Sequence, residues 1–183
     1  FDFIENLRRK SLFDGVPFYP MSNESAELTK YASNIFLSLK ISYINELARY
    51  AEVTVANIND VALAMGADPR IGHSMLKAGV GYGGSCFPKD SKAIIQSASE
   101  KGITLLLPEA ANAVNLTQPL YFYKKILAKL PESQGTTIAL LGLSYKAGTS
   151  DIRNSVALKL ASYLLEAGYA LKAFDPSSLS REA

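Results

Sequence analysis

The stretch ESAELTKYASNIFLSLKISYINELARYAE, residues 24–52, decides the fold. No Gly or Pro interrupts it. Leu28, Tyr31, Ala32, Ile35, Leu39, Tyr43, Leu47 and Tyr50 recur at the three-to-four spacing of one helical face. Phe36, Leu37, Ile41 and Ile44 make much of the remaining surface apolar as well. A helix that is apolar nearly all round is a buried one. Ser22 or Asn23 can cap its start, and Glu24 and Glu27 suit its first turns. At about 1.5 Å per residue such a helix spans about 40 Å. That is long for 183 residues, so the helix is expected to pack on a partner subunit or on a further domain.

Working outward, residues 1–13 have a helical rhythm in Phe3, Ile4, Leu7 and Leu12, broken at Gly15-Val16-Pro17. A short extended run, Phe18 to Met21, leads into the long helix. Beyond it the pattern predicts a helix over 54–65 ended by Gly66, a turn at Asp68-Pro69-Arg70-Ile71-Gly72, and a short helical stretch to about Ala78. Glycines at 79, 81, 83 and 84 exclude a regular helix there. Residues 89–101 read as a helix closed by Gly102, and a helical region runs from Pro108 to about Leu130, with a kink or break at Pro119. The tail changes character. Residues 137–143 read as a buried strand, 155–167 as a helix closed by Gly168, and 169–174 as a second strand, which is a parallel βαβ pattern. Two strands do not make a stable sheet alone, so this part is expected to be incomplete. The fold class is therefore a mostly α central domain built on a long helix, followed by the start of an α/β, Rossmann-like domain.

Composition excludes several functions. With 48% hydrophobic residues the chain can bury a sizeable core. Nineteen basic against 17 acidic residues leave a net charge of +2, and Arg8-Arg9-Lys10 is too short a block to argue for nucleic acid. No apolar run reaches the roughly 18 residues of a membrane span. A single Cys permits no intrachain disulfide and fits a reducing, cytoplasmic setting. His73 stands alone, without a Cys or acidic cluster, so no metal site is expected. The N-terminus has neither an initiator Met nor a signal peptide, as in a trimmed chain or a fragment.

Four groups of residues can carry chemistry. Cys86 follows the glycine-rich turn and precedes Phe87-Pro88-Lys89-Asp90. Glycine-loop amides, a following helix N-terminus and Lys89 are all groups that stabilise a thiolate, although a lone Cys is more often an ordinary buried side chain. Lys30 and Asn34 share one helical face, continued by Ser38 and Ser42. A polar stripe on an apolar helix is costly unless its groups find partners; it either aims a cation and an amide at a developing oxyanion or faces solvent. Asp90, four residues after Cys86, can face the same cavity as the thiol or simply cap a helix. The loop from Gly142 to Ser155 leaves the carboxyl end of a strand, where open α/β sheets bind ligands. It carries Lys146 and Arg153, both suited to phosphate, and it is equally an ordinary solvated loop.

Glu27 through Asn34, Ile44-Asn45-Glu46, Asp68 through Gly72, Gly81 through Asp90 and Lys146 through Arg153 resemble the UDP-glucose/GDP-mannose dehydrogenases in order and spacing. The resemblance covers essentially the whole chain, and the wording around Cys86 leans to the UDP-glucose branch rather than the GDP-mannose one. It implies a division into the tail of an N-terminal dinucleotide-binding domain (1–21), a central helical dimerisation domain (22–133) and the beginning of a nucleotide-sugar-binding α/β domain (134–183). It implies oxidation of a nucleotide sugar's C6 alcohol to a carboxylate at the expense of two NAD⁺, with Cys86 forming a thiohemiacetal and then a thioester. Lys30 and Asn34 would stabilise the oxyanion, and Asp90 would position water or Lys30. Arg70 would bind substrate across a homodimer formed through the long helix. Met75, Leu76, Lys77, Ala78, Gly79, Gly83 and Lys146 would hold the nucleotide sugar, and Lys89 and Arg153 would contact NAD. Asn154, where the family often has Glu, and Ser150, where an acidic residue is common, depart from the pattern; neither is expected to touch the site. The 183 residues by themselves are expected to be inactive, which leaves a non-catalytic dimerisation module as the rival reading.

Overall fold

The computed structural model describes residues 17–130 and 135–177, together with Phe3 and Asn6. The helix expected over 1–13 otherwise lies outside the described residues. Helix α1 spans Asn23–Thr54. Ser22 caps it, its Oγ accepting the Ser25 N–H at 3.2 Å. It stops because Val55 takes a left-handed conformation, φ 59°, which a β-branched residue rarely adopts. Helix α2, Ile58–Gly66, therefore starts later than the pattern predicts, capped by the Asn57 side chain, which accepts the Asn59 N–H at 3.0 Å.

The short helix expected up to Ala78 is absent. Residues 73–78 form an irregular loop in which Met75 is left-handed, φ 63°. Tertiary contacts override the local rhythm there: Leu76 is buried in the core, and Asn45 of α1 accepts the Gly79 N–H at 2.7 Å. Helix α3, Phe87–Ser99, begins directly after Cys86, with Pro88 in the first turn, where a missing N–H costs nothing. Helix α4, Leu106–Leu127, continues through Pro119. The break allowed for there does not occur.

Strands β1 (Thr137–Leu141) and β2 (Ala170–Phe174) pair in parallel, Thr137 opposite Ala170 and Leu141 opposite Phe174, joined by helix α5, Val156–Glu166. The described architecture is mostly helical with one short parallel sheet. Leu160, Leu164 and Tyr169 form a core against Tyr123, Ile126 and Leu127 from the end of α4 and Ile138 and Leu171 from the strands. Fully burying a side chain such as Leu164 contributes about 1.5–3 kcal/mol, so α4 ties the helical layer to the sheet. Among the described residues no helix is long and apolar enough to cross a membrane.

The two sides of α1 differ. Inward, Ser38, Ser42, Ile44, Asn45 and Ala51 are buried. Outward, Leu28, Phe36, Tyr43 and Tyr50 are exposed in one roughly seven-residue rhythm.

Candidate active site

The polar stripe on α1 finds its partners. Lys30 Nζ forms an ion pair with Asp90 Oδ2, and Asn34 Nδ2 donates to the same oxygen at 2.6 Å. Lys89 Nζ reaches Asp90 Oδ1 at 2.8 Å. The Asp90 side chain is fully buried, whereas those of Lys30 and Lys89 are 54% and 67% exposed. Burial pushes the Asp90 carboxyl up, but the hydrogen bonds from Lys30, Lys89 and Asn34 outweigh it and hold the group down at about 2. Asp90 in turn raises Lys89. One buried carboxylate thus gathers two cations and an amide from two helices. In this arrangement the Lys30 cation and the Asn34 amide face the carboxylate directly.

Cys86 is exposed, one residue before α3, with Ser85 Oγ 3.8 Å from its Sγ. Lys89 follows it by three residues in the first turn of α3, and the Arg153 carbonyl accepts the Gly84 N–H two residues before it. Cys86 lines a cavity of about 440 Å³ shared with Asn34, Ile41, Met75, Gly81, Tyr82, Gly83, Phe87, Tyr145 and Lys146. A second cavity of about 810 Å³ lies past the carboxyl ends of β1 and β2, lined by Gly142, Ser144, Gly148, Thr149 and Asp175 among others. Gly81, Tyr145 and Lys146 border both. Asp175 accepts the Leu143, Ser144 and Ser177 N–H groups at 2.7, 3.0 and 2.8 Å. Backbone donors at Leu143 and Ser177 lead in holding its carboxyl well below the usual carboxylate range. It fastens the loop that carries Lys146 to the end of β2.

The glycine turn is locked to that loop. Gly84 N donates to the Arg153 carbonyl at 2.8 Å, and Asn154 Nδ2 donates to the Gly84 carbonyl at 2.9 Å. A Cβ on Gly83 would overlap the Asn154 carbonyl oxygen, so only glycine allows this approach. Asn154 is itself left-handed, φ 52°. The expectation that Asn154 lies clear of the site is therefore overturned: it is the hinge between the thiol's turn and the β1–α5 loop. The spacing Gly79-Val80-Gly81-Tyr82-Gly83-Gly84 also matches the Gly-x-Gly-x-x-Gly pattern, but no strand precedes it, so it lacks the strand–turn–helix context of a dinucleotide turn.

Other expected residues divide. Leu76 is in the core, which leaves only its backbone for a ligand, while Lys77 is exposed and Ala78 and Gly79 are half-buried. Arg70 stands apart from the cavity, its guanidinium forked onto Asp68 at 2.6–3.2 Å and its side chain 87% exposed. Arg153 pairs with Asp151 in the same way.

Several residues escaped the sequence reading. The stripe does not end at Ser42, whose Oγ donates to the Ala111 carbonyl at 2.7 Å. It continues at the same spacing through Asn45, Arg49 and Glu52. Arg49 reaches Gln118 and Thr117, and Glu52 accepts the Tyr121 hydroxyl at 2.5 Å and pairs with Lys125. Tyr82 is buried near Ser38 and Ser42; burial raises its phenol, against hydrogen bonds with the two serines. Extending the helical spacing past Ser42 would have found Asn45 and Arg49. The partners of Arg49 on α4 carry no comparable signal.

A family profile described as the UDP-glucose/GDP-mannose dehydrogenase family, central domain, matches residues 24–117, and the same family's UDP binding domain matches residues 139–183. The chain belongs to the UDP-glucose/GDP-mannose dehydrogenase family. It is 44% identical over 165 residues to the UDP-glucose 6-dehydrogenase YwqF of Bacillus subtilis, covering 90% of this chain and 38% of that one. Its fold superposes on a UDP-glucose dehydrogenase from the hyperthermophilic archaeon Pyrobaculum islandicum with a TM-score of 0.91 at 36% identity, over 98% of this chain and 41% of the other. A UDP-D-ManNAc dehydrogenase from Pyrococcus horikoshii gives 0.80 at 29% identity, over 96% and 41%. The chain thus spans about two fifths of the length of such relatives.

Proposed function

We propose that this chain is the substrate-handling part of an NAD-dependent UDP-glucose 6-dehydrogenase, with residues 22–133 as its central helical domain and 134–183 as the start of a Rossmann-like nucleotide-sugar domain. The observation that carries the proposal is an exposed thiol, Cys86, on the wall of a cavity that also holds Asn34 and Lys146, beside the cluster in which Lys30, Asn34 and Lys89 meet the buried Asp90. The 44% identity to a UDP-glucose 6-dehydrogenase supports UDP-glucose as the substrate.

The chain's own residues suit the chemistry. The Cys86 thiolate adds to the C6 aldehyde, forming a carbon–sulfur bond and an oxyanion. Asn34, on the cavity wall, and Lys30, beside it on Asp90, would supply donors to that oxyanion, with Asp90 holding both in place. Loss of hydride from the thiohemiacetal leaves a thioester, and attack by water releases the carboxylate and returns the thiol. Lys89 and Arg153 are exposed cations on the two segments that flank the thiol's turn, which fits contact with an anionic dinucleotide. When bound there, NAD⁺ accepts the hydride released in each oxidation. Lys146, between the two cavities, is placed for the substrate's diphosphate, with the loop from Met75 to Gly79 and Gly83 flanking the sugar. The exposed outer stripe of α1 supports a homodimer, since soluble monomers rarely leave a large apolar patch open and one patch serves both subunits about a two-fold axis. Such a dimer is the route by which Arg70, far from its own cavity, reaches substrate.

The test is direct. The protein expressed from its complete reading frame is given NAD⁺ with UDP-glucose or GDP-mannose, and reduced nicotinamide is followed by absorbance. Turnover of UDP-glucose, lost in Cys86→Ser, is expected; turnover of GDP-mannose alone, or undiminished acid formation by C86S, would overturn the reading.

A further inference from the structure

Two helices grip the backbone that leads to Cys86, and none of the gripping side chains belongs to the cavity. Gln118 of α4, 2% exposed, donates from Nε2 to the Gly79 carbonyl at 2.7 Å. Asn45 of α1, fully buried, accepts the N–H of the same residue at 2.7 Å. Three residues on, Asn115 of α4 accepts the Tyr82 N–H at 2.8 Å and donates to the Tyr82 carbonyl at 3.0 Å. Both polar groups of Gly79 and both of Tyr82 are thus held by amide side chains. The held segment runs between Met75 and Cys86, which line opposite ends of one stretch of the cavity wall.

The Gln118 amide is itself oriented. Arg49 donates to Oε1 from Nε at 3.0 Å and from Nη2 at 2.6 Å. A guanidinium has only donors, so the oxygen must face Arg49 and the NH₂ must face Gly79. Asn45 bears a cost in the same cause: with its oxygen given to Gly79, its Nδ2 is buried with no partner among the described residues. A helix position needed for packing alone would avoid that cost with an apolar side chain.

We infer that Gln118, oriented by Arg49, is a positioning residue for the nucleotide sugar, acting through Gly79 on the segment that walls the cavity between Met75 and Cys86. The inference rests on the dehydrogenase reading. Gln118→Glu separates positioning from stability. It preserves length and strengthens the pairing with Arg49, but sets an acceptor against the Gly79 carbonyl.

In the protein expressed from its complete reading frame, Q118E is expected to keep or raise the thermal midpoint and to raise KM for UDP-glucose about tenfold, the scale of one lost buried hydrogen bond. Its kcat and its KM for NAD⁺ stay within about twofold. Amide exchange at residues 79–83 accelerates while that of α4 is unchanged. Gln118→Met, which offers no donor to Gly79 and only a weak thioether acceptor to Arg49, gives the same KM change together with a lowered midpoint. An unchanged KM in Q118E, or a fall in kcat that tracks a fall in the midpoint, overturns the proposal. If the parent protein oxidises no nucleotide sugar, the proposed function fails instead, and exchange decides the positioning role: faster exchange at 79–83 upholds it, and unchanged protection overturns it.

Discussion

Replacing Asp90 by Asn removes the charge at the centre of the Lys30–Asn34–Lys89 cluster while keeping its shape. The carboxyl titrates at 3.8 when free of its surroundings and at about 2 in place. At about 1.4 kcal/mol per pH unit that difference is worth about 2.5 kcal/mol. The two lysines are more than half exposed, so solvent screening reduces the figure to about 1 kcal/mol. The folded value is depressed, so this contribution is fully present above pH 3.8 and is lost as the pH falls through about 2. D90N adds a second cost, because the new NH₂ meets donors on one side or the other, about 1–3 kcal/mol. Urea unfolding of parent and variant, read from midpoints at matched slopes between pH 6 and pH 2, tests both parts. The parent is expected to be more stable by about 2–4 kcal/mol near neutrality, with the gap narrowing by about 1 kcal/mol towards pH 2. A gap that stays constant across that range would refute the electrostatic account, and no gap at neutrality would refute the cluster.

Gly83→Ala should part the thiol's turn from the β1–α5 loop, because its Cβ meets the Asn154 backbone rather than a movable side chain; a loss of about 2 kcal/mol or more in unfolding stability is expected, and a neutral substitution would contradict the described approach. Lys146→Ala should weaken binding of UDP itself, measured by calorimetry, about tenfold or more, as for loss of a charge-assisted phosphate contact; unchanged affinity would remove Lys146 from the substrate site. Sedimentation across a range of concentrations should show a discrete dimer, and Phe36→Glu, on the exposed stripe of α1, should convert it to monomer; a stable parent monomer at tens of micromolar would rule that dimer out.

The long helix was legible because 24–52 contains neither Gly nor Pro and its apolar residues recur at helical spacing. The parallel βαβ unit was legible because periodicity changed sharply after Thr137. What failed was local rhythm overruled from a distance. Residues 73–78 have helical spacing, yet Leu76 and the Asn45–Gly79 bond draw them into a loop. Val55 gave no sign of its left-handed turn, so α2 begins later than expected. In the candidate site, Cys86, Lys30, Asn34 and Asp90 stood out because their residue types and spacing carry chemistry. Asn154 was misjudged because its partners, Gly83 and Gly84, lie some seventy residues away in the chain, and neither its left-handed backbone nor its bond to the Gly84 carbonyl is disclosed by the residue type. Asn115 and Gln118 went unnoticed because two amides on a mixed helix look like solvent-facing side chains until their partners are known.

The polar line on α1 has a consequence for how the chain can change in length. Lys30, Asn34, Ser42, Asn45 and Arg49 are addressed to α3, α4 and the 79–82 segment by one rigid rotation of about 100° per residue. Insert a single residue between Asn34 and Ser42, and each half of the helix remains helical and amphipathic, yet the two halves fall out of phase by that angle. The Lys30 end would keep Asp90 while the far end turned Asn45 and Arg49 away from Gly79 and Gln118, or the reverse. Substitutions along this line can be absorbed one partner at a time. A shift in count cannot, so the interval from 30 to 49 behaves as a ruler whose length is fixed even where its individual letters are not.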